Sequence, residues 1–209
     1  VISVDGMRPD VATAKRYGLR YVHLPFGYDG CPTPRALEIV RAARDLPGPV
    51  YVHCHHGQLR GPTAAALIHI ALDGASNAQG VAIIRRAGGD LAYTGLYGTV
   101  ASFRRPTAAA IDRVPAQFPA VSPLPPLAAT MVRIDARFQA LRQSQREGWR
   151  GPAAAPAGAP AQEALQLREL FHELQRTGAA AGRPADFKAR LRAAESGATD
   201  LEAALRAHE

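Results

Sequence analysis

The sequence contains few of the residues that stabilise small secreted domains or membrane spans. Its 209 residues include two cysteines, two methionines and one tryptophan, and aromatic residues make up only 6%. Two cysteines cannot form a disulfide framework, and neither Cys31 nor Cys54 belongs to a CxxC pair. No apolar run approaches the roughly 18 residues that a membrane-spanning helix needs. These absences exclude a disulfide framework and a membrane-spanning helix within these 209 residues.

The remaining composition is that of a globular chain with a basic surplus. Apolar residues make up 47%, enough for one core of about 120–150 residues and a smaller second unit. The formal net charge is +7, and all but Lys15 and Lys188 of the 25 basic residues are arginine. This charge suits an anionic substrate, but the basic residues are scattered, so we expect no nucleic-acid partner. Oligomeric state and compartment stay open.

The first part of the chain alternates short apolar segments with helical patterns. Strands are predicted over 1–4, 19–24 and 50–53, with helices after Pro9, Pro34 and Pro62 and two more before residue 105. This alternation predicts an α/β domain over 1–120, with a mostly parallel sheet flanked by helices. The strand-like beginning at Val1 favours a missing upstream segment, such as a strand–helix unit or a removed signal peptide.

The second part, 121–209, is helical in pattern and follows a proline-rich stretch over 106–126 that we interpret as a linker packed along the first domain. Three apolar stripes at helical spacing predict a small antiparallel bundle, with breaks over 151–160 and 178–184 and an interruption at Gly197. The stripes consist of Met131, Ile134, Phe138 and Leu141; of Ala164, Leu167, Phe171 and Leu174; and of Phe187, Leu191, Ala194, Ala198, Leu201 and Leu205.

The segment from Cys54 to Arg60 carries the clearest chemical signal. Cys54 directly follows a predicted strand, Arg60 lies six positions later, and a helix begins just beyond. The backbone N–H groups of such a loop and the helix N-terminus together attract an anion. The arginine can bind two oxygens of one phosphate, and the same positive field favours the thiolate form of the cysteine. We therefore predict a phosphate-binding loop with a nucleophilic sulfur.

His53-Cys54-x5-Arg60, with Gly57 between, resembles the signature loop of cysteine-based protein tyrosine and dual-specificity phosphatases. The resemblance covers about residues 1–105. It implies that Cys54 attacks phosphorus, that Arg60 holds the phosphate, and that Asp29 is the general acid and base. It also implies that His55, His56, Gly57, Gln58 and Leu59 bind the phosphorylated substrate, with no metal and no cofactor.

The sequence departs from that family pattern after the arginine. Family members commonly have serine or threonine there, whose hydroxyl eases departure of the thiolate, whereas this chain has Gly61. Hydrolysis of the intermediate is then slow, or Thr63 supplies the hydroxyl. Gln58 and Leu59 stand where some relatives carry basic residues, which argues against inositol polyphosphates as substrates.

Several alternatives stay open at this point. The chain is a hydrolase, or a catalytically weak phosphate-binding relative acting as an interaction module, or a rhodanese-like sulfurtransferase, although the loop of the latter is typically one residue shorter. Asp29 is a general acid or an ordinary turn residue before Gly30. Cys31 and Cys54 are independent thiols or form a redox disulfide.

Two further interpretations concern metal and haem. His55 and His56 could join Cys54 in a zinc site, but consecutive residues rarely converge on one tetrahedral ion. The C-terminal helices weakly resemble cytochrome c′ bundles. We expect no haem, because the chain has no CxxCH motif.

Overall fold

The structure is a computed structural model that describes residues 1–124, 126–149 and 159–207. The chain divides into two compact units, Val1–Leu124 and Pro125–Glu209. The sequence predicts the division after residue 120, four residues earlier. Each unit has its own cluster of buried apolar side chains. The architecture is therefore an α/β unit with a small parallel sheet, followed by a helical unit.

The sheet of the first unit has three short parallel strands. These are β1 (Ile2–Ser3), β2 (Val22–His23) and β3 (Val52–His53), in the order β2-β1-β3. Ile2 is aligned with Val22 on one side and with Val52 on the other. Because the strands are parallel, their carboxyl ends meet at one edge, which places the residues after β1 beside those after β3.

Helices connect these strands and follow them. Gly74, with φ of +83°, ends the π-helical turn that continues α3, which is a conformation that glycine adopts without strain. The helices of this unit are α1 (Val11–Arg16), α2 (Thr33–Asp45), α3 (Arg60–Ile68) with its π-helical turn (His69–Asp73), α4 (Asn77–Arg86), α5 (Thr94–Ser102) and α6 (Ala108–Asp112).

The core of the first unit lies between the sheet and these helices. Its completely or nearly completely buried side chains include residues of β1, β2, α2, α3, α4 and α5. The sequence predicts Leu37, Val40 and Ala43 as the inner face of α2; Val40 is completely buried, whereas Leu37 and Ala43 are only half-buried, and Ala36 and Ile39 complete the buried face. The largest buried aliphatic side chains include Ile2, Val4, Leu24, Ile39, Leu67, Ile84, Leu96 and Val100.

The proline-rich stretch packs along the first unit, as predicted, and is helical in part. It contains α6, and its later part lies along the outer edge of β2. His23 donates its backbone N–H to the carbonyl of Pro119 at 2.8 Å, and buried Ser122 bonds to both the ring and the carbonyl of His23. These bonds satisfy the outer edge of a strand that would otherwise be open.

In the second unit, α8 (Ala159–Arg176) packs against α7 (Pro126–Arg146) and α10 (Ala185–Arg206). Two predicted stripe residues, Met131 and Phe138, are 41% and 49% exposed, whereas Ile134 and Leu141 are buried. Helix α10 continues through Gly197, so the expected interruption is wrong. The predicted break over 178–184 contains a short helix, and residues 151–158 of the other break lie outside the described residues. The helices are α7 (Pro126–Arg146), α8 (Ala159–Arg176), α9 (Gly178–Ala181) and α10 (Ala185–Arg206).

Among the described residues, no helix combines the length and the apolar character needed to cross a bilayer.

Candidate active site

The loop after β3 joins Cys54 to the beginning of α3. Gly57 has φ of +73°, in the left-handed region that favours glycine, and turns the chain back toward the helix. The sequence predicts a helix that begins at Pro62. In the structure α3 begins at Arg60, so Pro62 is its third residue. This difference leaves the local chemistry unchanged, because the third N–H of a helix also lacks an intrahelical partner.

Gly61 brings the first turn of α3 directly against Cys54. A Cβ atom at Gly61 would lie 3.4 Å from Cys54 Sγ and 3.2 Å from Cys54 N. The helix N-terminus, with its positive partial charge, is therefore adjacent to the sulfur. A residue larger than glycine here would need a shift of a few tenths of an ångström, and its side chain would begin in contact with the sulfur.

Backbone donors are available along the loop. Within the described part of the chain, the N–H groups of residues 57–61 have no protein acceptor, and no side chain caps α3. Such donors bind anions readily at a helix N-terminus. The side chain of Leu59 packs against the core and that of Gln58 is exposed, so Leu59 can serve a ligand only through its backbone.

The Arg60 side chain is buried, with 5% of its surface exposed. Its Nη2 donates to Asp5 Oδ1 at 2.8 Å and to Tyr28 Oη at 3.1 Å. Its guanidinium carbon also lies 4.4 Å from the centroid of the Tyr28 ring, which is a cation–π contact. The Nε of Arg60 is buried and has no hydrogen-bond partner in the described structure.

Asp5 is a site residue that the sequence interpretation missed. It follows β1, the central strand, and is 4% exposed. Its Oδ1 accepts from the Gly6 N–H at 2.7 Å as well as from Arg60, and its Oδ2 lies 3.6 Å from His55 Nδ1. From the sequence alone, Asp5 followed by Gly6 indicates only a turn. The signal that could have found it is its place at the carboxyl end of a parallel strand, beside Cys54.

Asp29 lies in the same loop as Tyr28 but does not contact Arg60. Its carboxylate folds back onto Gly27, and its backbone carbonyl lies against Gly95 of α5. Cys31 also attaches this loop to α5, since its N–H donates to Thr99 Oγ1 at 3.1 Å. The structure therefore brings together Cys54, Arg60, Asp5 and Tyr28, while the general-acid role of Asp29 stays a prediction.

The pKa of the Tyr28 hydroxyl is raised by its surroundings in the site. Burial raises the pKa of its hydroxyl, Arg60 lowers it in part, and Cys54 raises it further. The phenol is therefore neutral at physiological pH, and its oxygen accepts the hydrogen bond from Arg60.

Histidines surround the nucleophile on the loop side. The ring of His53 contacts the Tyr21 hydroxyl through Nε2 and stacks on Tyr51, with ring centroids 5.8 Å apart. The rings of His55 and His56 meet edge to face at 4.4 Å. These contacts hold the His53 ring beside the backbone carbonyl of Cys54, whose oxygen lies 3.3 Å from His53 Nδ1.

Cys31 and Cys54 are both buried and both free thiols. Burial raises the pKa of Cys31 to about 12, with a smaller opposing effect of Arg35. Cys31 is therefore a protonated thiol at neutral pH, and the thiol form attacks an oxidised sulfur slowly. A redox disulfide between the two remains a hypothesis from the sequence.

Thr63 has a buried hydroxyl without a partner. Its Oγ1 and the Nε of Arg60 are the buried side-chain polar atoms that lack hydrogen bonds among the described residues. Both belong to the first four residues of α3, next to Cys54. Leaving such atoms unpaired costs about 1–3 kcal/mol each, and both lie on the first turn of the helix that follows the Cys54 loop.

Comparisons with known proteins add no relative from which to transfer a role. No protein-family model, no curated protein and no solved structure matches this chain.

Proposed function

We propose that this chain is a phosphatase of the protein tyrosine and dual-specificity type, which hydrolyses phosphate monoesters through a cysteinyl-phosphate. The observation that carries the proposal is the buried, unpartnered Nε–H of Arg60 at the start of the helix that touches the Cys54 sulfur. A buried donor of this kind fits an oxyanion seated over the sulfur.

The first step transfers the phosphoryl group to sulfur. The Cys54 thiolate attacks phosphorus while the bond between phosphorus and the ester oxygen breaks, and a carboxylic acid protonates the leaving oxygen. Arg60 and the loop amides bind the equatorial oxygens, where negative charge lies in the transition state. Asp29 is the proposed acid, and substrate binding has to bring its carboxyl from Gly27 toward the ester oxygen.

The second step hydrolyses the sulfur–phosphorus bond. Water attacks phosphorus, Asp29 accepts its proton, and Cys54 leaves as the thiolate, which regenerates the enzyme and releases inorganic phosphate. A hydroxyl near the sulfur stabilises that leaving thiolate. Gly61 has none, so the unpaired hydroxyl of Thr63 is the group we assign to this role.

The direct test measures turnover of para-nitrophenyl phosphate by the wild type and by Cys54→Ser. We expect Cys54→Ser to reduce the rate by about 10⁴-fold or more, because the nucleophile is lost. Cys31→Ser is the matched control and is expected to keep turnover. Acid quenching of the wild type should also trap a phosphoryl group on the peptide that contains Cys54.

A second candidate function is phosphate binding without turnover. It is favoured by the position of the Asp29 carboxylate on Gly27 and by the Asp5 carboxylate that already occupies Arg60. A wild type no faster than Cys54→Ser, but protected by inorganic phosphate from alkylation of Cys54, would establish this binding function instead. Sulfur transfer from thiosulfate to cyanide would favour the rhodanese-like alternative.

A further inference from the structure

The two acceptors on Nη2 of Arg60 differ in ways that matter for binding an anion. Asp5 Oδ1 is charged, buried and 2.8 Å away, whereas Tyr28 Oη is neutral, 3.1 Å away and on a side chain with 40% exposure for the residue. Both bonds have the charged guanidinium as donor, but only the Asp5 carboxylate adds an opposite charge, so its attraction to Arg60 is the stronger. The bond to Asp5 is therefore the more persistent of the two.

The geometry of a guanidinium makes this difference consequential. Either edge that can bind two oxygens of one anion includes Nη2, paired with Nε on one edge and with Nη1 on the other. Nη2 carries two hydrogens, and both are taken in this structure. An anion that binds Arg60 with two hydrogen bonds must therefore replace one acceptor, and the neutral Tyr28 oxygen is the one that leaves.

Asp5 itself is held in place from several sides. Its backbone carbonyl accepts from Nε2 of His23 at 2.9 Å, and its Oδ1 accepts from the Gly6 N–H. His23 accepts from the Ser122 N–H at Nδ1, so its proton is on Nε2, and burial lowers the pKa of its ring, which keeps it neutral. A carboxylate fixed in this way can determine the orientation of the guanidinium that it binds.

We propose that Asp5 is a positioning residue, which holds one Nη2 hydrogen of Arg60 so that the Nε–H and the second Nη2 hydrogen, bonded to Tyr28 in the unliganded protein, form the fork that binds phosphate. This inference rests on the proposed phosphatase function. Asp5 acts through Arg60 and does not touch the reacting atoms.

Charge and orientation predict opposite effects of Asp5→Asn on two measurements. The amide keeps the size of the side chain but orients the guanidinium less firmly, so kcat is expected to fall about 10-fold or more. It also removes a negative charge near the anion, so the inhibition constant of inorganic phosphate is expected to stay the same or fall. If Asp5 were merely structural, Asp5→Asn would lower kcat, raise the inhibition constant of phosphate and lower thermal stability in parallel. Asp200→Asn, on an exposed residue of α10, is the matched control.

A double-mutant cycle with Arg60→Lys tests whether Asp5 acts through Arg60. Lysine keeps the charge but has no fork to orient, so Asp5→Asn is expected to change kcat less than 2-fold in that background. The proposal would be overturned if the two substitutions lowered kcat independently, so that the double variant showed the product of the two single losses. It would also be overturned if Asp5→Asn alone kept the wild-type kcat. Tyr28→Phe removes the competing oxygen and is expected to lower the inhibition constant of phosphate about 2- to 3-fold; a rise would overturn the assignment of the fork.

The outcomes separate this inference from the proposed function. If the wild type shows no turnover, the phosphatase proposal fails, and Asp5 is then judged by protection of Cys54 from iodoacetamide by inorganic phosphate. Tyr28→Phe is expected to strengthen that protection, and Arg60→Lys to weaken it and to remove any further effect of Asp5→Asn. Protection that Asp5→Asn weakens equally with and without Arg60 would overturn the positioning role.

Discussion

The two units bury polar side chains in different ways. In the first, Asp5, His23, Arg60 and Thr63 are all less than a tenth exposed, and two of them carry unpaired atoms. In the described part of the second unit, the buried polar residues are Ser144 and Glu202, and Glu202 is paired with arginines on the surface. Burying an unpaired polar atom costs stability. The first unit therefore carries a cost in stability that the described part of the second unit does not.

Replacing one arginine in each unit gives the largest expected contrast. Arg60→Lys removes the two-pronged donor from the proposed phosphate site, so kcat for para-nitrophenyl phosphate is expected to fall about 10²- to 10³-fold. Arg137 of the second unit also makes two hydrogen bonds to one carboxylate, that of Glu163, both at 2.9 Å. Arg137→Lys should leave kcat unchanged. Equal losses in both variants would contradict the contrast between the units.

Core truncation in each unit tests whether they unfold separately. Leu67 of α3 and Leu174 of α8 are both almost completely buried. Each change to alanine is expected to destabilise its own unit by about 2–5 kcal/mol, because a cavity remains. Differential scanning calorimetry should show that each variant lowers a different transition, and thermal loss of turnover should follow Leu67→Ala alone. A single transition lowered by both variants would mean that the units unfold together.

Alkaline pH should destabilise the first unit through Cys31. Its pKa is about 12 in the folded protein against 9.0 for the free thiol, so the unfolded chain ionises first as the pH rises. Its contribution is complete below about pH 9 and is lost between the two values, by about 1 kcal/mol for each pH unit. Urea unfolding near pH 8.5 and 10.5 should show a smaller loss in Cys31→Ala than in the wild type. The same loss in both would contradict the assignment.

The smallest expected effect concerns the unpaired hydroxyl of Thr63. Thr63→Val keeps the shape and removes the unpaired group, so the free energy of unfolding is expected to rise by about 1 kcal/mol while turnover falls. Thr99→Val is the matched control with the opposite sign, because that hydroxyl is bonded to both Cys31 N–H and the Gly95 carbonyl. A stabilised Thr63→Val with unchanged turnover would remove Thr63 from the reaction.

Local sequence signals were enough to predict the strand and the helix on either side of the Cys54 loop. They could not predict which strands lie next to each other in the sheet. The position of Cys54 after a strand and of Arg60 at a helix start follows from neighbouring residues. Asp5 becomes a site residue only because β1 lies next to β3, and that order is not encoded in the three residues around Asp5. Its local signal, Asp before Gly, is that of a turn.

Helical periodicity has a similar limit. The spacing of Met131 and Phe138 is as regular as that of Ile134 and Leu141, yet only the second pair is buried. A stripe with period 3.6 identifies a face of the helix, and the neighbouring helix decides which part of that face is covered. The position of Asp29 also depended on packing, because its loop is attached to α5 at Gly95 and Thr99.

The bonds from Pro119 and Ser122 to His23 have a practical meaning for dissecting the molecule. A fragment of the first unit cut before residue 119 would lose the segment that covers β2 and would also free the His23 ring that supports Asp5. An open strand edge promotes self-association between chains. An isolated first unit therefore needs the segment through Ser122, because the proline-rich stretch covers the outer edge of β2.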